Sequence, residues 1–244
     1  TSPEAEAVRN VMVDPLSGID PTRKNVGDLA ESLENDIVAQ PFFWALPAKF
    51  GFSFSGAAES KVAGRTADIM VSADEDRYLL ALDGAAGVCS VVPRDAVVEA
   101  MQRLALAFLE LRENDHSLRR MRDAVERLGA VKVLAMAGLT MSRRASHSTA
   151  QSPAVGMLRH DERVFGAGIG LPFGRITAGQ LQAICAAARL DADAVRVSPR
   201  RVLIFPTPSA ADAELLLRTA EAQGVIVGSD VRLMMDVCPG SGAC

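Results

Sequence analysis

Short apolar runs typical of strands alternate with segments of helical period over the last third of the chain, from about residue 162 onward. Apolar residues recur on one face of residues 177–188 and of residues 210–223, and capping signals mark both segments, so two helices are predicted. Strands are predicted over the apolar runs around them, which are residues 164–169, 194–197, 200–205, 225–227 and 231–235. Strands that alternate with helices favour a sheet covered by helices.

The order of these elements, β-α-β-β-α-β, is the split arrangement of ferredoxin-like folds, and we expect such a half domain over residues 162–230. Gly166, Gly168 and Gly170 lie in or directly after its first strand. They do not complete a dinucleotide-binding fingerprint, because that motif needs a helix at once and the predicted helix starts only at Thr177. Close approach of a neighbouring backbone is the better explanation for these glycines.

The first 139 residues mix strands with helices and are predicted to form a separate α/β domain, so the fold class is α+β. Alternating phenylalanines predict a strand over residues 50–55, and a long apolar stripe predicts a helix over residues 94–111. Shorter patterns predict strands at 11–13, 69–72 and 78–82 and helices at 27–40 and 118–128. Residues 140–161 are predicted as an exposed linker, because their Ser-rich first part shows no apolar period.

Composition excludes several classes of protein. Hydrophobic residues make up 49% and charged residues 23% of the 244 positions, so the chain is globular rather than disordered. A formal net charge of −4 without a long Lys/Arg block argues against a nucleic-acid partner. No uncharged apolar stretch of about 18 residues occurs, so we expect no membrane span. Four cysteines do not resemble a disulfide framework, and a reducing, cytoplasmic location is expected.

Two cysteines near the end of the chain form the clearest local motif. Cys238 and Cys244 flank Pro-Gly-Ser-Gly-Ala, a segment that can fold back and bring both thiols to one point. Thiolates at such a spacing are candidate ligands of an iron–sulfur cluster, and a disulfide or two unrelated thiols are the alternatives. Cys89 and Cys185 lie in apolar segments and are predicted to pack in the core.

Cations lie next to several predicted turns and strand ends. Arg9 precedes the strand at 11–13, Lys49 precedes the strand at 50–55, Arg175 follows a Gly-Pro-rich turn, and Arg201 begins the strand at 200–205. In a chain of negative net charge, cations at strand ends suit an anionic ligand, and Arg can grip a carboxylate with two parallel hydrogen bonds. The alternative is that each is an ordinary surface charge.

Several short motifs occur together in one order. They are Arg-Asn-Val-Met at 9–12, Pro-Leu-Ser-Gly-Ile-Asp-Pro at 15–21, Leu-Pro-Ala-Lys-Phe-Gly-Phe at 46–52, Gly-Leu-Pro-Phe-Gly-Arg at 170–175, Val-Ser-Pro-Arg-Arg at 197–201 and the cysteine pair at 238–244. The ordered set resembles the nitrite/sulfite reductase family and, within it, the branch of precorrin-3B synthases. The resemblance covers nearly the whole chain.

The resemblance implies an organisation for the chain. Residues 1–139 would be a reductase-type, siroheme-domain-like α/β domain, 140–161 a linker and 162–230 a ferredoxin-like half domain. Residues 231–244 would be the incomplete start of a [4Fe-4S] domain, so we expect the chain to be part of a longer protein. Cys238 and Cys244 would supply two of the four cluster ligands, and the family's second pair, Cys-x3-Cys, is absent from the sequence.

The resemblance also implies a set of substrate-binding residues: Arg9, Asn10, Lys49, Arg175 and Arg201. Siroheme reductases of the family carry Leu-Pro-Arg-Lys-Phe-Lys, in which both lysines face a small oxyanion. Lys49 matches the first lysine, whereas Ala48 replaces the Arg and Gly51 replaces the second Lys. These replacements favour a member whose substrate is the tetrapyrrole itself. No catalytic acid or base is identified, and a second iron centre or a siroheme stays open.

The implied activity is that of an oxidoreductase, an oxygen-dependent monooxygenase of cobalamin biosynthesis. It would convert precorrin-3A to precorrin-3B by hydroxylation at C20 and lactone formation, with O2 and an electron donor as partners. The tetrapyrrole carries many carboxylates, which the strand-end cations would bind. Two alternatives are a siroheme-dependent sulfite or nitrite reductase and a non-catalytic tetrapyrrole-binding fragment.

Overall fold

The computed structural model describes residues 2–57, 67–143, 153–188 and 194–235. The chain divides into two compact units. The first comprises Thr1–Gly18 and Arg23–Gln151, and the second comprises Ile19–Thr22 and Ser152–Cys244.

Within the described residues, the first unit contains a six-stranded sheet whose strands follow one another in chain order. The strands are β1 (Val11–Val13), β2 (Phe52–Ser55), β3 (Ile69–Asp74), β4 (Arg77–Leu82), β5 (Val88–Val92) and β6 (Ser142–Arg143). Strands β1, β2 and β3 are parallel to one another, and the remaining pairs are antiparallel. The amino ends of β1, β2 and β3 therefore meet at one edge of the sheet.

Helices cover this sheet and enclose the core of the first unit. They are α1 (Pro3–Val8), α2 (Gly27–Ala39), α3 (Val97–Asn114), α4 (Met121–Leu128) and α5 (Ala130–Met136), with short 3-10 helices at Pro41–Ala45 and Arg94–Ala96. The predicted apolar stripe of α3 is buried, including Met101, Leu104 and Phe108. Phe50 is buried too, with its ring centroid 4.7 Å from that of Phe108. This contact anchors the segment just before β2 to the core.

The second unit contains, within its described residues, a four-stranded antiparallel sheet in the order β7-β8-β10-β9. Its strands are β7 (Gly156–His160), β8 (Arg163–Gly170), β9 (Arg196–Ser198) and β10 (Val202–Pro206). Helices α6 (Ala178–Ala188) and α7 (Ala210–Ala222) pack buried residues such as Ile184 and Leu216 against the sheet. The α+β class predicted from the sequence is confirmed.

The start of α6 also agrees with its sequence signal. The side-chain oxygen of Gln180 accepts a hydrogen bond from the backbone N–H of Thr177 at 2.8 Å, and the Thr177 hydroxyl accepts one from the N–H of Gln180 at 3.3 Å. This is the reciprocal capping box that the Thr-x-x-Gln spacing predicts.

Part of the predicted linker is a strand. Gly156–His160 forms β7 and pairs with β8, and Ser142–Arg143 forms β6 at the edge of the first sheet. Residues 140–161, which were predicted as an exposed linker, therefore contain strand residues at these positions. Strand β7 lies at a sheet edge and its residues are half-buried or exposed, so it lacks the alternation of apolar and polar residues that marks a strand.

The last predicted strand is also wrong. Val231–Met234 is a 3-10 helix, because the Asp230 carboxylate accepts a hydrogen bond from the N–H of Arg232 at 2.8 Å and turns the chain. Residues 225–227 contribute only an isolated bridge between Ile226 and Gly170.

The glycines of β8 do allow close approach of other backbone segments, as predicted. A Cβ atom on Gly166 would lie 2.9 Å from the carbonyl oxygen of Phe205, and one on Gly168 would collide with the carbonyl oxygen of Ala154. Side chains at these positions would separate β8 from its neighbours.

None of the helices in the described part of the chain is both long and apolar enough to cross a membrane.

Candidate anion-binding site

A cleft of about 460 Å³ opens at the edge of the first sheet where β1, β2 and β3 begin. Its lining includes residues that directly precede each of these strands, together with the residue before α4: Arg9, Asn10, Lys49, Gly51, Ala67 and Arg120. The volume lies within the range of about 300–1,000 Å³ that small-molecule sites occupy. Parallel pairing thus brings three of the predicted substrate-binding residues, Arg9, Asn10 and Lys49, into one site.

Asn10 holds the Lys49 segment in place. Its side-chain amide donates hydrogen bonds to the carbonyl oxygens of Ala48 at 2.8 Å and Phe50 at 3.2 Å. The backbone carbonyl oxygen of Asn10 accepts a hydrogen bond from the backbone N–H of Phe52 at 2.8 Å. Because both carbonyls flank Lys49, Asn10 fixes the backbone on either side of that lysine. Its predicted contact with substrate stays a prediction.

Arg9 and Lys49 differ in their surroundings. The Arg9 side chain is 41% exposed, and its guanidinium forms ion pairs with Glu34 at 3.0 Å and Glu6 at 3.5 Å. Lys49 is exposed, and no carboxylate among the described residues lies within ion-pair distance of its Nζ. Lys49 is therefore the cation of this site whose charge is least neutralised by a carboxylate of the protein.

Arg120 is a third cation of the cleft, and the sequence analysis missed it. Its side chain is 31% exposed and pairs with Asp68, a carboxylate with no exposed surface. Its hydrogen bonds to that carboxylate raise the pKa of Arg120 above its ordinary value, so the guanidinium stays charged. The available signal was the position of its partner. Asp68 directly precedes β3, much as Arg9 and Lys49 lie just before β1 and β2.

The chemistry of the cleft is that of anion binding. Three cationic side chains line the cleft. Among the described residues that line it, none is Asp, Glu, His or Cys. A charge-assisted hydrogen bond to a ligand carboxylate is worth about 1.5–3 kcal/mol. The site can therefore hold and orient a polyanion, and it presents no obvious general acid or base.

The other two predicted substrate-binding residues, Arg175 and Arg201, lie in the second unit. Arg175 is exposed. The Arg201 guanidinium donates hydrogen bonds to the carbonyl oxygen of Leu233 at 2.9 Å and to that of Met235, so it fastens the segment around the last 3-10 helix. The structure shows this supporting role for Arg201, and substrate contact by either arginine stays a prediction.

The predicted cluster ligands Cys238 and Cys244 lie outside the described residues. Cys89 is buried, and Cys185 packs against the core of the second unit, where burial raises the pKa of its thiol. These positions agree with the predicted packing role. No cluster of three or more His, Cys, Asp or Glu side chains in the described parts of the chain is arranged to hold a metal ion. The described residues therefore do not form an iron–sulfur site.

Parts of this chain are similar to known proteins in sequence or in fold. Residues 158–223 match the family model described as the nitrite/sulfite reductase ferredoxin-like half domain. The structure of the NirA protein of Mycobacterium tuberculosis is similar, with a TM-score of 0.74 and 18% sequence identity over 94% of this chain and 46% of that chain. This chain thus spans less than half the length of that protein. No curated protein sequence matches it. The chain therefore has a nitrite/sulfite reductase-like α+β fold, with a ferredoxin-like half domain in its second unit.

Proposed function

We propose that the cleft binds the carboxylates of a tetrapyrrole and that the protein is an oxidoreductase acting on that tetrapyrrole, namely a precorrin-3B synthase. The observation that carries the proposal is the meeting of Arg9, Lys49 and Arg120 around one opening at the amino ends of three parallel strands. Carboxylates on the rim of a macrocycle match such a group of cations.

The lining of the cleft favours a ligand that carries several carboxylates over a small oxyanion. Gly51, where the siroheme reductases carry a second lysine, contributes only backbone, and its N–H donates to Asp68 at 2.9 Å. Ala48 likewise adds no charge. This motif therefore contributes a single cation, Lys49, to the cleft.

The proposed reaction is a monooxygenation of precorrin-3A. One oxygen atom of O2 enters the substrate at C20, and the other leaves as water. Two electrons from a donor of the reduced nicotinamide or ferredoxin class, together with two protons that come from solvent or, in part, from the nicotinamide hydride, balance the step. The chain's own residues would bind and orient the substrate, while a redox cofactor would carry the oxygen chemistry.

The test is turnover by the full-length protein purified without oxygen. Iron-replete protein should convert precorrin-3A only when O2 and a reductant are supplied, and 18O2 should add one labelled oxygen atom to the product. Lys49→Met should weaken substrate binding by about tenfold or more, since it removes one charge-assisted contact. Lys132→Met, which removes an exposed lysine of α5, is the matched control. No turnover by iron-replete protein would reject the proposal.

A siroheme-dependent sulfite or nitrite reductase is the second candidate, and the family match of residues 158–223 supports it. The absorption spectrum of the purified protein distinguishes the two. A siroheme spectrum with sulfite or nitrite turnover would favour the reductase, and precorrin-3A turnover without siroheme would favour the monooxygenase.

A further inference from the structure

We propose that Asp68 is a positioning residue for anion binding, because it holds both the Arg120 guanidinium and the Lys49 segment at the cleft. The inference rests on the proposed function, in which the cleft binds ligand carboxylates. Asp68 itself is not among the residues that line the cleft. It acts through Arg120 and through the backbone of Gly51.

The contacts of Asp68 tie three parts of the chain together. One carboxylate oxygen accepts hydrogen bonds from Arg120 Nε at 3.0 Å and from the N–H of Met121 at 2.7 Å. The other accepts from Arg120 Nε at 3.1 Å and from the N–H of Gly51 at 2.9 Å, and it forms an ion pair with Arg120 Nη2 at 2.9 Å. The backbone N–H of Asp68 donates in turn to the carbonyl oxygen of Gly51 at 2.8 Å. One buried carboxylate thus connects the start of α4, the guanidinium and the segment after Lys49.

This arrangement leaves part of the guanidinium available for a ligand. Nε and Nη2 of Arg120 lie against Asp68, whereas Nη1 makes no hydrogen bond to an acceptor among the described residues. A planar guanidinium held on one side by a carboxylate is fixed in orientation, so its other donors point in a defined direction. Preorganised donors lose less conformational freedom when they bind an anion.

The neighbouring Asp83–Arg122 pair provides a matched comparison. Asp83 is also almost fully buried; it accepts a hydrogen bond from Arg122 Nε at 2.8 Å and forms an ion pair with Nη2 at 2.7 Å. Arg122 lies in the first turn of α4, and Arg120 directly precedes that helix. Arg122 does not line the cleft, however. Loss of Asp83 should therefore disturb a similar ion pair without weakening anion binding.

The experiment measures binding of uroporphyrin I, an octacarboxylate probe, by fluorescence quenching of the full-length protein. We expect Asp68→Asn to bind about tenfold more weakly and Asp83→Asn to stay within about twofold of the wild type. Asp68→Asn should weaken binding by a smaller factor in an Arg120→Gln background than in the wild type, because the part of its effect that acts through Arg120 is already lost there. Equal affinities for Asp68→Asn and Asp83→Asn, or additive effects in the double variant, would overturn the inference.

Thermal unfolding identifies variants that fail to fold. If Asp68→Asn does not fold, Arg120→Lys decides, since Lys keeps the charge and an ion pair with Asp68 but lacks the fixed fork. It should also bind uroporphyrin about tenfold more weakly, and unchanged affinity would overturn the inference. A wild-type protein that binds no tetrapyrrole would remove the proposed function together with the inference. A wild-type protein that binds, with unchanged variants, would remove the inference alone.

Discussion

Arg9 Nε lies 3.0 Å from Glu34 Oε1, so a cation beside the cleft is already paired with a carboxylate of α2. Glu34 is only partly buried, and such an exposed pair contributes about 0.2–1 kcal/mol. The pair therefore opposes ligand binding by a small amount, because an incoming anion must compete with Glu34 for the guanidinium.

Replacing Glu34 should consequently strengthen binding of an anionic tetrapyrrole. We expect Glu34→Gln to raise the affinity for uroporphyrin I by about two- to fivefold, measured by fluorescence titration. Glu31→Gln makes the same charge change on an exposed position of α2 and should have a smaller effect. Weaker binding by Glu34→Gln would show that Glu34 orients Arg9 for the ligand instead of competing with it.

The Asp28–Arg94 pair predicts a dependence of stability on pH. Both oxygens of Asp28 accept hydrogen bonds from Arg94 at 2.6 Å, and these bonds lower the pKa of Asp28 below its ordinary value of 3.8. A lowered pKa in the folded state stabilises the protein above the unfolded-state value, and the contribution is lost as the pH falls through the folded-state value. Both side chains are substantially exposed, so the contribution is less than about 1 kcal/mol.

Asp28→Asn should therefore be slightly less stable than the wild type at pH 7 in urea unfolding, and the difference should shrink as the pH falls below 3.8. Glu31→Gln, on the same helix, serves as the control and should show no such loss. A difference that stays constant from pH 7 to pH 3 would show that Asp28 acts by packing and not by its charge.

Two glycines of the second unit predict opposite effects of the same substitution. Gly168→Ala places a Cβ atom against the carbonyl oxygen of Ala154, which is backbone and cannot move aside easily. We expect it to cost about 1–3 kcal/mol or to prevent folding. Gly179→Ala, in α6, meets nothing within 4 Å and should stabilise the helix by up to about 1 kcal/mol. Urea unfolding measures both, and equal midpoints would contradict the close approach at Gly168.

Substitutions of individual cysteines should differ in their effect on the iron content of the protein. Cys185→Ala should leave iron and sulfide unchanged, because Cys185 packs against an apolar core. Burial raises the pKa of its thiol, so alkylation by iodoacetamide at pH 7 should be slow. Cys238→Ser should reduce iron content if the predicted ligand pair is correct. Loss of iron from Cys185→Ala would overturn the packing assignment.

Segments with a strong local signal were predicted correctly. The apolar stripe of α3, the capping box of α6 and the alternating phenylalanines of β2 each depend on side chains a few positions apart. β5 and β7 were not assigned as strands, and Val231–Met234 was wrongly predicted as one. These segments are short, and their conformation depends on pairing partners or on a local Asp230 contact more than on periodicity.

The amino-acid sequence by itself determined the α+β class, the main helices and strands, and the placement of cations next to strands. It did not show which of these cations lie together in one site. That depends on β1, β2 and β3 being parallel neighbours, which brings Arg9, Asn10 and Lys49 to one edge, and on a buried Asp68 that binds Arg120 from a distant part of the chain. Strand direction and pairing order are properties of the whole sheet, so only the tertiary structure could decide them.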